Sequence, residues 1–144
     1  MQTILTEKLR GYMINNNPDL WLELQADFSL TQYLEQKVYA IQPFLAALLA
    51  ENKPAYIIEE LCLNELTKDL RPSKFNYIRN LLEEEFEEDY LWMTENGILT
   101  YEVVNMINTC KPVFETAGFS EEKERDRELH YTITGAIKDY LESK

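Results

Sequence analysis

The side chains able to do chemistry in this sequence are mostly carboxylates, and their spacing sets the first question. Residues 81–91 read L-L-E-E-E-F-E-E-D-Y-L, with an acid at every position from Glu83 to Asp89 except Phe86. Farther back, Glu65 and Asp69 stand four residues apart inside an apolar helical pattern. Facing helices that turn carboxylates inward can build a di-metal centre, with Glu-x-x-His pairs supplying further ligands. Glu65, Asp69 and Asp89 are the candidates for such a site, or for an enzyme built on it. The one histidine, His130, has Arg127 three residues before it, so no Glu-x-x-His pair exists. A Mg²⁺ or Ca²⁺ site made of oxygens alone stays open, without the twelve-residue EF-hand loop.

Nucleophilic chemistry has less to build on. His130 would have to meet a serine, Cys62 or Cys110, and nothing in the spacing favours such a meeting. No Gly-x-x-x-x-Gly-Lys, Gly-x-Gly-x-x-Gly, Cys-x-x-Cys or Gly-x-Ser-x-Gly motif occurs. Cys62 and Cys110 lie on apolar helical segments, 48 positions apart, and read as small buried hydrophobes. The sequence therefore assigns no catalytic residue, no metal ligand and no cofactor, and leans away from an enzyme.

Charge limits the partners. The 144 residues carry a formal net charge of −12, with Lys and Arg interleaved among acids even in the densest basic stretch, 123–127. Such a chain repels phosphate backbones, so direct nucleic-acid binding is not expected. Residues 1–10 lack a charged start followed by an apolar core, so no signal peptide is expected. The longest apolar stretch, 41–50, is half a membrane span and contains Pro43. Without a paired cysteine framework, the expected setting is the cytoplasm, with no membrane partner.

The elements that must position these residues are helices. Leu5, Leu9, Tyr12 and Met13 share one side of a helix over 3–15, which the N-N-N-P run at 15–18 stops. A short piece over 19–28 follows. Ser29 and Gln32 have capping-box spacing ahead of Leu34 and Val38, and Pro43 interrupts that helix before a short one over 43–50. Helices are expected over 54–70, 74–93, from Thr100, from Pro112 to Gly118, and over 121–141 from a Ser120 cap. No run shows period-two alternation. The expectation is an all-α fold of six to seven helices, with residues 1–144 forming one domain.

A helix through 74–93 turns Ile78, Leu82, Phe86 and Met93 inward at about 100° per residue. Glu83, Glu84, Glu87 and Glu88 then face water, and the run reads first as a solvated face. Asp89 is the exception, since it projects into the apolar stripe, where a carboxylate needs a partner such as an arginine. The start of the last helix, with Glu121 and Glu122, is charged on every side and should project from the core. Glu84, Glu87, Glu88, Glu121 and Glu122 are thus the candidate interaction surface.

Three stretches carry a family likeness: Leu70-Arg-Pro-Ser-Lys-Phe75, Lys111-Pro-Val-Phe114 and Glu128-Leu-His-Tyr-Thr-Ile-Thr-Gly-Ala-Ile-Lys-Asp-Tyr-Leu-Glu142. With Leu9-Arg-Gly-Tyr12 and Asn17-Pro-Asp-Leu20, their order resembles a bacterial family, domain of unknown function 1896. Residues 123–127 depart from its pattern by being more charged. The resemblance implies a multihelical protein of the Bacteroidetes cytoplasm, often carried with mobile elements, and it transfers no catalytic residue. The expected function is a small non-enzymatic interaction or accessory protein, with another protein as partner. A DNA mimic and an oxygen-ligand metal protein or enzyme are the alternatives.

Overall fold

Proline, glycine and two side-chain caps set where the helices of this chain begin and end. The computed structural model describes residues 1–144 and contains no strand. It divides into two units, Met1–Arg71 and Pro72–Lys144. The all-α expectation holds, but the helices are shorter and more numerous than six or seven. The length alone does not anticipate the division into two units.

The first unit holds α1 (Gln2–Asn16), α2 (Pro18–Ala26), α3 (Leu30–Ala40), α4 (Gln42–Ala50), α5 (Ala55–Leu66) and a 3₁₀ turn, Lys68–Leu70. Pro18 opens α2 and Pro43 lies in the first turn of α4, positions where a missing amide hydrogen costs nothing. Leu5, Leu9 and Met13 of α1 are fully buried against α3 and α5, in a core shared with Leu34, Cys62 and Leu66. Ser29 precedes α3 but makes no side-chain cap; its hydroxyl donates back to Leu24 O at 3.5 Å. The expected helix over 54–70 stops at Leu66. There the Thr67 hydroxyl donates to the Leu63 carbonyl at 2.8 Å, and the chain tightens into the 3₁₀ turn.

The second unit holds α6 (Lys74–Glu85), α7 (Glu87–Glu95), α8 (Leu99–Thr109), α9 (Lys111–Ala117), a 3₁₀ turn (Glu121–Arg125) and α10 (Arg127–Glu142). Ser73 caps α6, accepting from the Asn76 amide at 3.0 Å. Its core joins Ile78 and Leu82 of α6 to Val103 and Met106 of α8, Phe114 of α9, and Ile133 and Ile137 of α10. Tyr77, Phe114 and Phe119 meet edge-to-face, with ring centroids 4.9–5.9 Å apart.

Three expectations change in this unit, the smallest at α8, which starts at Leu99 with no side-chain cap from Thr100. The helix over 74–93 is two helices: Phe86 leaves helical geometry at φ −136°, ψ 54°, and α7 starts afresh at Glu87. The last helix starts at Arg127 rather than Glu121. Asp126, not Ser120, is its cap, with a carboxylate accepting from the Leu129 amide at 2.9 Å. A carboxylate is the stronger cap because its charge also meets the positive end of the helix dipole.

Candidate functional site

The break at Phe86 decides what the acidic run becomes. Phe86 stays half-buried against the core, while Glu83, Glu84 and Glu85 end α6 on its exposed side. Glu87, Glu88 and Asp89 are the first three residues of α7. Unpaired amides at a helix start favour negative charge by about 0.3–1 kcal/mol per carboxylate. These three acids thus help hold the break where it is.

Asp89 is exposed, not inside an apolar stripe. The restart at Glu87 places Asp89 in the first turn of a new, short helix, of which Met93 alone is buried. The question of what Asp89 meets therefore dissolves: it meets water and the dipole of α7.

Glu65 and Asp69 are equally altered. Glu65 sits on α5 and pairs with Lys68 at 2.7 Å; Asp69 lies beyond the helix end and pairs with Lys37. Their i, i+4 relation never forms, because the helix ends between them. Hydrogen bonding to Glu65 raises the Lys68 pKa. No group of three or more His, Cys, Asp or Glu side chains is placed to hold a metal ion. His130 is half-buried, with Nε2 3.3 Å from a Glu85 carboxylate oxygen. Cys62 and Cys110 are both buried free thiols. Burial raises both pKa values, that of Cys110 to about 11, which leaves neither with thiolate character.

The carboxylate that does enter a core lies outside the acidic run. Glu102 of α8 is 3% exposed. It accepts from the Tyr140 hydroxyl at 2.7 Å and from the Lys144 ammonium. Burial pushes its pKa up, but the Lys144 and Tyr140 hydrogen bonds and the Lys144 charge bring the net shift below the ordinary value. Burial and the bond to Glu102 raise the Tyr140 pKa. Held ionised by two donors, Glu102 serves as a structural anion joining α8 to α10. A sequence signal existed, since Glu102 lies one turn before Met106 and Tyr140 continues the α10 stripe.

Two open grooves indent the surface. One of about 480 Å³ runs between α9 and the start of α10, lined by Val113, Ala117, Asp126 and Leu129 among others. Its Asp126 is committed to the α10 cap, and its Thr132 hydroxyl donates to the Glu128 carbonyl. The other, about 350 Å³, lies beside α5, where Arg71 donates to the Asn64 and Thr67 carbonyls. Neither gathers a nucleophile with a base.

What remains open to a partner is surface. Glu84, Glu87, Glu88, Glu121 and Glu122 are all exposed. Glu121 and Glu122 lie in the 3₁₀ turn, interleaved with Lys123 and Arg125. Between Arg79 and Lys111 the chain has no Lys or Arg, and Glu83, Glu84, Glu87, Glu88, Asp89 and Glu95 form no ion pair. Beside them, Leu91 and Trp92 of α7 are 48% and 57% exposed. No helix is long and apolar enough to cross a membrane. No protein family, curated protein or solved structure matches the chain.

Proposed function

We propose that this is a small non-enzymatic interaction or accessory protein that meets a protein partner through the acidic surface of residues 83–95. The carrying observation is the set of six exposed carboxylates without an internal counter-ion, beside outward Leu91 and Trp92. Unpaired charge of one sign steers an oppositely charged partner, while an exposed Trp supplies the apolar contact on which affinity concentrates. The family resemblance adds a setting: the bacterial cytoplasm, as an accessory of a mobile element.

The test is affinity capture from a host extract with wild type and with the Glu84→Lys/Glu95→Lys variant. Both positions lie outside the first turn of α7, so the helix start keeps its acids. Loss of specific captured polypeptides is expected. If every one is retained, the surface has no such role.

A second reading, a DNA mimic that blocks a nucleic-acid-binding protein, draws on the same charge. Phosphate-like display needs carboxylates that are not neutralised from within. Duplex DNA should then release the captured partner, and a partner indifferent to DNA would remove this reading. The metal alternative has lost its motive: Glu65 and Asp69 are each paired with a lysine, and Asp89 faces water.

A further inference from the structure

With Met93 inward, a turn of about 100° per residue carries Leu91 and Trp92 to the outer half of α7. Two rows run along that half at i, i+4 spacing. One is Glu87–Leu91–Glu95 and the other Glu88–Trp92. Each apolar side chain thus has a carboxylate one turn before it, and Leu91 has another one turn after. An isolated apolar residue on a surface is ordinary, but an outward Leu–Trp pair framed by unpaired acids is a patterned helix face.

We infer that the outer face of α7 is a docking strip for a basic amphipathic helix of a protein partner. Leucine-like side chains of that helix would cover Leu91 and Trp92, and its Lys or Arg residues would meet Glu87, Glu88 and Glu95. This rests on the interaction reading above and names the partner class. Charge selects the occupant. Anionic lipid and nucleic acid are repelled by the same carboxylates, and a second copy would bring a like-charged unit against this one. A divalent cation has no three-ligand group to enter.

The experiment uses the full chain carrying Trp21→Phe, which leaves Trp92 as the single tryptophan. The probe is a labelled 18-residue Leu/Lys peptide with leucines on one helical face. The comparisons are a scrambled peptide of the same composition and an oligolysine of the same length. The patterned peptide should shift Trp92 emission to the blue and bind roughly tenfold tighter than either control. In otherwise native chain, Leu91→Ala/Trp92→Ala should lose roughly tenfold, read by peptide anisotropy. Glu88→Gln/Glu95→Gln should lose several-fold at low salt and little at 0.5 M, where charge is screened. Equal binding of all three peptides, without a Trp92 shift, overturns the docking strip but leaves an acidic interaction surface standing. Absence of binding by any cationic peptide at low salt overturns both. Self-association in sedimentation that Trp92→Ala abolishes would assign the strip to a second copy instead and overturn the proposal.

Discussion

In the unit Met1–Arg71, ten acidic residues accompany six basic ones, and Glu7, Glu51, Glu65 and Asp69 each stand in an ion pair with Lys or Arg. In the unit Pro72–Lys144, sixteen acids accompany eight bases. There only Glu102 pairs with a lysine, and Glu85 meets a histidine. The formal net charges are −4 and −8. Exposed ion pairs contribute about 0–1 kcal/mol, so the pairing in the first unit adds little stability; what it does is cancel field. The second unit leaves its field intact on α6 and α7. Each unit has its own buried apolar cluster, so the contrast lies at the surface, where partners act.

The largest expected effect tests whether those cores are separate in energy as well as in space. Phe114→Ala removes a ring that is 1% exposed and in edge-to-face contact with Tyr77 and Phe119, and should cost about 3–5 kcal/mol. Leu9→Ala in the first unit should cost about 2–5 kcal/mol. Amide exchange should quicken in the unit that carries the change. If either variant loosens both units alike, the two-unit description fails.

A smaller effect separates the buried acid from the exposed ones. Glu102→Gln should cost about 1.5–3 kcal/mol near neutral pH, since hydrogen bonds to an ion are lost. Glu84→Gln should stay within about 0.5 kcal/mol, as surface changes do. The folded pKa of Glu102 is lowered, so its contribution is complete above the ordinary carboxylate value of 4.5 and is lost as pH falls through the folded value. Urea midpoints at pH 7, 5 and 3.5 should therefore show the gap between wild type and Glu102→Gln closing with acidity. A gap independent of pH would mean that Glu102 contributes by packing and not by charge.

The helical class was legible because apolar spacing in α1, α6 and α10 repeats over three or more turns. Ser73, Pro18, Pro43, Gly97 and Gly118 punctuate it with side-chain and backbone chemistry that acts within a few residues. What could not be read was decided locally by competition. Nothing in L-L-E-E-E-F-E-E-D-Y-L marks Phe86 as a break, yet that break makes Asp89 an exposed first-turn residue of a new helix. At Ser120 and Asp126 two plausible caps compete, and the carboxylate wins. Glu102 required knowing that α8 and α10 meet, a tertiary fact. Of the candidate surface, Glu84, Glu87 and Glu88 follow from helical phase, while the exposure of Leu91 and Trp92, apolar in type, follows only from how little of α7 packs inward.

Salt should sharpen the surface contrast by less than about 1 kcal/mol. At 0.5 M the repulsion among the unpaired acids of α6 and α7 is screened, so their amide protection should rise. Protection in α3 and α5, whose acids include paired Glu65, should hold level or fall slightly.

The smallest effect concerns how the two units end their helices. After α7 and α9 the chain turns through Gly97 and Gly118, at φ of +68° and +65°. The amides of Ile98 and Phe119 then reach back to the Met93 and Phe114 carbonyls at 3.0 and 3.2 Å. After α2 the same turn is made by Phe28 at φ +56°, with the Ser29 amide on Leu24 O at 3.0 Å. A residue with a Cβ is strained in this left-handed geometry, and the Phe28 ring, 97% exposed, recovers nothing by burial. Phe28→Gly should therefore stabilise the first unit by about 0.5–1 kcal/mol, after allowing for glycine's greater freedom when unfolded. Trp92→Ala, on an unstrained helix, should change stability by less than about 0.5 kcal/mol. Paired thermal melts of the two variants decide it. A loss with Phe28→Gly would show that the ring makes a contact in solution that its exposure does not reveal.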